Sequence, residues 1–330
     1  MRMRTEATVT APIPVPLITG FPGSGKTTLV NRILAEHGEE KIAVIENEFG
    51  NVSIDHALLA HEAEIIEIND GCVCCSVRGD LIRILGAFAH RAEAGELQLD
   101  RVLIETTGLA DPAPVIQMFF ADPCIHAHFR LDAMLTVLDA EHAMRQLDGH
   151  ESAREKVAFA DVLLIGKRDR TNEKRFSELV QRMLRINPRA PIHALLHGDV
   201  SMDVIVDVNA FNLTSLLEID PGFLDEAHHH HHDNIAAFVY RSERAFDEGR
   251  LENFMANVIA QHHPDLLRYK GILSLTGEPH QVALQGVHMT VYGDRIRPWP
   301  VGAARTSTVV FIGRNLPEVE LRAGLNACLV

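Results

Sequence analysis

Positive charge is in short supply in this chain of 330 residues: 31 Lys and Arg stand against 45 Asp and Glu, a net charge of −14, and no Lys/Arg-rich run offsets it. Clustered cations are what hold phosphate backbones, so the composition argues against a nucleic-acid partner. Long apolar runs are missing as well. No stretch reaches the roughly 18 residues that span a bilayer, and the start MRMRTEATVTAPIP has no apolar run of the signal-peptide kind. The expectation is a cytoplasmic protein with no membrane partner. Arg2 and Arg4 hint at a transit sequence, but Glu6 and the shortness of the segment argue against one. Cysteine is scarce too: there are five, three of them inside four positions, which cannot build a conventional disulfide framework. Close thiols in a reducing compartment more often mean metal or catalysis. No internal repeat is found.

What is present is a folded, soluble composition, 46% apolar and 23% charged. The length exceeds the usual size of one core, which predicts two domains. From about residue 15 to 200, short β-branched runs (VPLIT, IAVIE, EIIEI, RVLIE, MLTVL, DVLLIG, PIHAL) alternate with segments of helical spacing such as Thr27 to Glu36 and Asp80 to Ala94. That alternation predicts a doubly wound α/β domain around a mostly parallel sheet. Residues 1–14 form a tail, and 201–234 read as a linker ending in five histidines, His228 to His232. Over 235–330, a strand (IAAFVY), a helix near Gly249 to Gln261, three strand-like stretches (GILSLT, HQVALQGVHMTVY, STVVFIG) and a last helix from Pro317 to Cys328 predict a smaller α+β domain.

Strand VPLIT runs into Gly20-Phe-Pro-Gly-Ser-Gly-Lys26-Thr27, a full G-x-x-x-x-G-K-[ST] match that opens a helix. Gly20, Gly23, Ser24, Gly25 and Thr28 line a loop whose backbone N–H groups curl round phosphates. Lys26 reaches the β- and γ-phosphates and Thr27 ligates Mg²⁺. RVLIE ends in Glu105, followed by Thr106, Thr107 and Gly108, the pattern of an apolar strand meeting the γ-phosphate. Glu105 would hold Mg²⁺ or its water, and Gly108 would let a backbone N–H approach the γ-phosphate. Gly166-Lys167-Arg168-Asp169 resembles the guanine motif N-K-x-D. Asp169 would accept from the guanine N1–H and amino group, and Lys167 would pack along the base. Gly166 stands in the asparagine position, and one neutral hydrogen bond less relaxes base discrimination by about 0.5–1.5 kcal/mol.

Gly71-Cys72-Val73-Cys74-Cys75 follows EIIEI and lies between the phosphate loop and the Glu105 strand. Three thiolates supply most of a tetrahedral shell for a soft cation such as Zn²⁺ or Cu(I) and leave a position open, which suits a carrier better than a closed structural site. A redox-active thiol pair and a chance placement of three cysteines are the alternatives. Glu46-Asn47-Glu48-Phe49-Gly50, with Asp55 beyond, comes off IAVIE where P-loop GTPases carry their first switch. Its carboxylates suit Mg²⁺, the attacking water or the thiolate site. The His228 to His232 run, flanked by Asp225, Glu226 and Asp233, reads equally as a weak Zn²⁺ or Ni²⁺ collector and as a solvated linker. Cys124, His126 and His128 alternate, as if on one face of an extended segment. Arg268, Tyr269 and Lys270 read as a solvated helix end, with contact to nucleotide or a partner as the alternative, and Cys328 and Trp299 as structural.

Taken together, GFPGSGKTTL, ENEFGNVSID, NDGCVCC, ETTGLADP, LLRYKGIL, RPW and VVFIG resemble the CobW-type family of metal-handling P-loop GTPases, in particular its YjiA-type branch, over nearly the whole chain. The resemblance implies a GTPase domain with a Cys-x-Cys-Cys metal site and a CobW C-terminal domain. It matches Cys72, Cys74 and Cys75 to the metal motif, Gly23 to Thr28 to the phosphate loop and Glu46 to the acidic switch position. Asn51 stands where some members carry a glutamate ligand. The expected activity is GTP hydrolysis coupled to delivery of zinc, or of cobalt or nickel, to a client metalloprotein, with a homodimer as a further partner state. Two rival readings are a P-loop ATPase or small-molecule kinase and a nucleotide-independent zinc store.

Overall fold

The computed structural model describes residues 11–46, 64–67, 76–106, 108, 110–195, 200–208, 235–300, 302 and 304–330. The first part carries strands β1 (Ile13–Thr19), β2 (Ile42–Glu46), β3 (Glu64–Glu67), β4 (Arg101–Glu105), β5 (Phe129–Asp139), β6 (Val162–Gly166) and β7 (Ile192–Leu195). Its helices are α1 (Lys26–Glu36), α2 (Ser76–Glu93), α3 (Ala113–Ala121), α4 (Pro123–His128), α5 (Ala143–Gly149), α6 (Glu151–Phe159) and α7 (Glu173–Ile186). The strands form one parallel sheet in the order β3-β2-β4-β1-β5-β6-β7. β2, β4 and β6 are buried at every position, as unbroken apolar runs covered on both faces should be. From β1 the chain moves outward to β2, and from β4 it crosses back over β1 to β5. The order therefore reverses around β1, and ligands of such sheets bind at the carboxyl ends of the strands where it does.

The second part comprises β8 (Ile235–Ser242), α8 (Glu248–His262), β9 (Leu266–Leu273), β10 (His280–Val287), β11 (Thr290–Pro298), β12 (Ser307–Arg314) and α9 (Glu318–Ala327). Its five strands form an antiparallel sheet, β11-β10-β9-β12-β8. Phe238, Tyr269 and Phe311 pack with Leu251, Met255 and Leu321 of α8 and α9 in one core. The opposite face, through Ile235, Val310 and Ile312, joins the apolar cluster that holds Val157 and Phe159 of α6 and Ile116 of α3. The two sheets thus share buried surface.

The expected α/β and α+β parts are present, with three local differences. HQVALQGVHMTVY is two strands: Val287 pairs with Thr290, and His288 turns the chain with a positive φ of 49°. Cys124, His126 and His128 lie on helix α4, capped by Asp122, whose carboxylate accepts from the Cys124 and Ile125 N–H groups at 3.0 and 3.1 Å. An Asp-Pro start is a helix N-terminus signal and outweighs the alternation. Arg268, Tyr269 and Lys270 are buried in the middle of β9, with Tyr269 in the helix-facing core and the two cations near Asp161.

Candidate nucleotide and metal site

The phosphate loop leaves β1 and enters α1 with three glycines at positive φ: Gly20 at 146°, Gly23 at 74° and Gly25 at 106°. At Gly20 a Cβ would lie 2.2 Å from the Val137 carbonyl oxygen of β5, so the loop passes where no side chain fits. The turn closes by Ser24 N–H donating to Phe21 O at 3.1 Å, and Gly25 caps α1. Lys26 and Thr27 therefore stand in the first helical turn, half-buried, at an N-terminus whose free N–H groups and dipole favour an anion. Thr28 next to them is exposed, and Ser24 is buried with its hydroxyl unpartnered among the described residues.

Glu105 ends β4 beside this loop, and its carboxylate lies 3.6 Å from Lys26 Nζ. In the sheet register it neighbours Glu46, the last residue of β2, and both are buried, at 7% and 3% exposure. Glu46 in turn neighbours Glu67, the last residue of β3. Cys72, Cys74 and Cys75 lie outside the described residues. So do Asn47 to Gly50, Asn51, Asp55, Thr107 and the His228 to His232 run. The flanks of the thiol segment are described: β3 ends at Glu67 before it, and α2 starts at Ser76 after it.

After Glu105 the chain continues the β4 ladder along β1 by one residue. Thr106 N–H donates to Ile18 O at 2.9 Å. Gly108 lies so close to Pro22 that a Cβ would sit 2.2 Å from the proline Cδ, which accounts for glycine there.

The Gly166-Lys167-Arg168-Asp169 motif sits at the end of β6. Lys167 adopts the left-handed region, φ 55°, and its ammonium donates to Gly23 O and to Asp139 Oδ2, both at 2.7 Å. Burial pushes the Asp139 carboxyl up, but the Lys167 hydrogen bond and the Glu141 N–H outweigh it and hold the group below the usual carboxylate range. Lys167 thus ties the phosphate loop to the ends of β5 and β6, while Asp169, on the short turn Arg168–Arg170, is exposed. At Gly166 a Cβ would approach the Ser24 carbonyl oxygen to 3.3 Å, closer than most neighbours tolerate. Two residues escaped the sequence reading, Asp139 and Lys156. The first had a readable signal, an apolar strand ending in an acid.

A parallel sheet with a glycine loop after its first strand, a Lys at the head of the following helix and an acid ending the neighbouring strand defines a P-loop nucleotide-binding protein. Residues 14–194 match the CobW/HypB/UreG nucleotide-binding domain and 235–329 the cobalamin synthesis protein CobW C-terminal domain. The chain belongs to the CobW family. It is 38% identical to the zinc chaperone YjiA of Escherichia coli over 317 residues, which covers 94% of this chain and 97% of that one. Against the crystal structure of Zn(II)-bound YjiA GTPase it aligns with a TM-score of 0.78 at 34% identity, covering 97% of this chain and all of that chain. The zinc-regulated GTPase metalloprotein activator 1 of Saccharomyces cerevisiae is 26% identical over 363 residues, covering 96% of this chain and 83% of its own length.

Proposed function

We propose that this protein is a cytoplasmic GTP-hydrolysing metallochaperone that carries zinc on Cys72, Cys74 and Cys75 and passes it to a client metalloprotein. The observation that carries the reading is the order β3-β2-β4-β1 at one edge of the sheet. It sets Glu67, five positions before Cys72, beside Glu46, Glu105 and the phosphate loop at strand ends. The names of the relatives, a zinc chaperone and zinc-regulated GTPase activators, support the same cargo and nucleotide. We take residues 15–200 as the GTPase domain, 201–234 as the linker and 235–330 as the C-terminal domain.

In this reading Gly20, Gly23, Ser24, Gly25 and Thr28 cradle the phosphates, and Lys26 neutralises the β- and γ-phosphates. Thr27, Glu105 and Glu46 are hard oxygen donors near the γ-phosphate and suit Mg²⁺, which supplies charge neutralisation when bound. Water attacks the γ-phosphorus as the bond to the β–γ bridging oxygen breaks, releasing GDP and phosphate. Gly108 follows the γ-phosphate by its backbone N–H. Glu46, between the two centres, serves both the nucleotide site and the thiolate shell. Lys167 and Asp169 select guanine. Among the described residues no helix is long and apolar enough to cross a membrane.

The test is a titration with Zn²⁺, Co²⁺ and Ni²⁺ in the presence of GDP and of a non-hydrolysable GTP analogue, wild type against Cys74→Ser. Zinc affinity should differ at least about fivefold between nucleotide states and lose that dependence in the variant. A nucleotide-blind zinc affinity means a store instead.

A further inference from the structure

The turn after Glu105 is held from a second side. Ala110 O accepts a hydrogen bond from Lys156 Nζ at 2.7 Å. Lys156 belongs to α6 and is only 1% exposed. Its ammonium stands 5.8 Å from the ring centroid of Phe21, the second residue of the phosphate loop, and that ring packs 5.5 Å from His150. One side chain therefore touches both the loop that cradles phosphate and the turn that follows the Mg²⁺-side acid.

Burying an ammonium is costly unless its partners offset the lost water. A methionine would fill the same volume without that cost. The charges that face Lys156 come from three elements: Lys26 of α1 opposes it, while Asp111 in the turn and Glu155 on α6 favour it. Burial first, then Lys26, pull its pKa down to about 8.

The same helix meets the second sheet. Arg314 of β12 pairs with Glu155 and, at 2.6 Å, with Glu151. Arg268 of β9 donates to Phe159 O at the last turn of α6. On the other side, Asp111 caps the start of α3 by accepting from Ala113 N–H at 2.9 Å. α3 reaches the sheet through Gln117 Nε2, which donates to Val287 O at 3.3 Å, and Phe120, 5.7 Å from the Tyr292 ring.

We propose that Lys156 is a positioning residue for γ-phosphate cleavage: its ammonium holds Gly108, Ala110 and Asp111 against the phosphate loop and, through α6, ties that turn to the C-terminal sheet. The proposal rests on the GTPase reading above. Lys156 does not touch the reacting atoms, since its bond goes to a backbone carbonyl. Its loss shifts the turn by a fraction of an ångström, which affects the chemical step more than nucleotide binding.

The experiment compares the full chain with Lys156→Met, Lys156→Gln and Lys156→Arg, all checked for an unchanged melting temperature. GTP hydrolysis is followed from pH 6.5 to 9.5, GDP affinity by fluorescent nucleotide, and amide exchange over residues 106–117. Lys156→Met should lower kcat roughly ten- to a hundredfold with KM and GDP affinity within about twofold, and Lys156→Arg should recover most of the rate. Wild-type kcat should fall as the ammonium is lost above about pH 8, a limb absent in Lys156→Gln. Exchange over the turn should quicken in Lys156→Met. Wild-type kcat in Lys156→Met, or a parallel loss of kcat and GDP affinity, overturns the proposal. A wild-type chain that hydrolyses no GTP overturns the GTPase reading instead. The exchange measurement then decides alone whether Lys156 holds the turn: unchanged exchange in Lys156→Met overturns that hold and faster exchange supports it.

Discussion

Asp161→Asn is the sharpest test of how the two sheets are joined. Asp161 precedes β6, and its buried carboxylate accepts from Arg268 and, at 3.3 Å, from Lys270, both on β9. Its other oxygen accepts from Met134 N–H at 3.0 Å. Arg189 adds a third positive charge to the surroundings. The asparagine keeps size and one acceptor but removes the only negative charge among these four groups. Breaking a buried pair from one side leaves the partner charged and desolvated, which costs about 3–5 kcal/mol. For a chain of this size that is a fall of roughly 5–15 °C in melting temperature. The pH dependence gives the second half of the test. Burial, then Arg268 and Arg189, lower the Lys270 pKa to about 7 against the partial support of Asp161. Its folded value lies below its unfolded one, so the folded state binds fewer protons between about pH 7 and the ordinary lysine value of 10.5. The contribution of Lys270 to stability therefore improves as pH rises through that window. Above about pH 7 the folded-state amine is neutral and no longer needs Asp161, so the gap between wild type and variant should be wider at pH 6 than at pH 9. Differential scanning calorimetry of both proteins at the two pH values reads this directly. A deficit under about 1 kcal/mol, the range of an exposed pair, or a gap that ignores pH, refutes the reasoning.

Two further substitutions probe the nucleotide site. Gly108→Ala puts a methyl 2.2 Å from the Pro22 ring, so the turn or the loop must move, and phosphate release should slow roughly a hundredfold; a rate within threefold of wild type would separate this turn from the chemistry. Gly166→Asn restores the missing base contact but pushes on the Ser24 carbonyl, 3.3 Å from the new Cβ. In competition binding the GTP-over-ATP ratio should rise about two- to tenfold while both nucleotides bind more weakly, and an unchanged ratio would mean that the base is not read at this position.

What could be read from the sequence follows from the range of the interactions involved. The phosphate loop is a short contiguous string whose glycines, lysine and threonine each answer a local demand, so spacing alone identifies it. Strands β2, β4 and β6 announce themselves because burial on both faces leaves their interiors apolar. The hairpin at His288 had no such announcement: a two-residue turn usually carries glycine or asparagine, and here His288 takes the positive φ, with its ring nitrogen 2.8 Å from His263 O. Arg268 and Lys270 misled for a related reason. Charged residues read as solvated unless the partner is known, and Asp161 lies more than a hundred positions earlier. Lys156 was out of reach for the same cause, because its neighbours Ala110 and Phe21 come from two other loops. These long-range polar contacts have a common location. They converge on α6 and the start of β6, between the strand ends that face the nucleotide and the sheet that closes the molecule. Local sequence thus specifies the glycine loop, whereas the joint between the two sheets resides in buried charges that only the tertiary structure brings together.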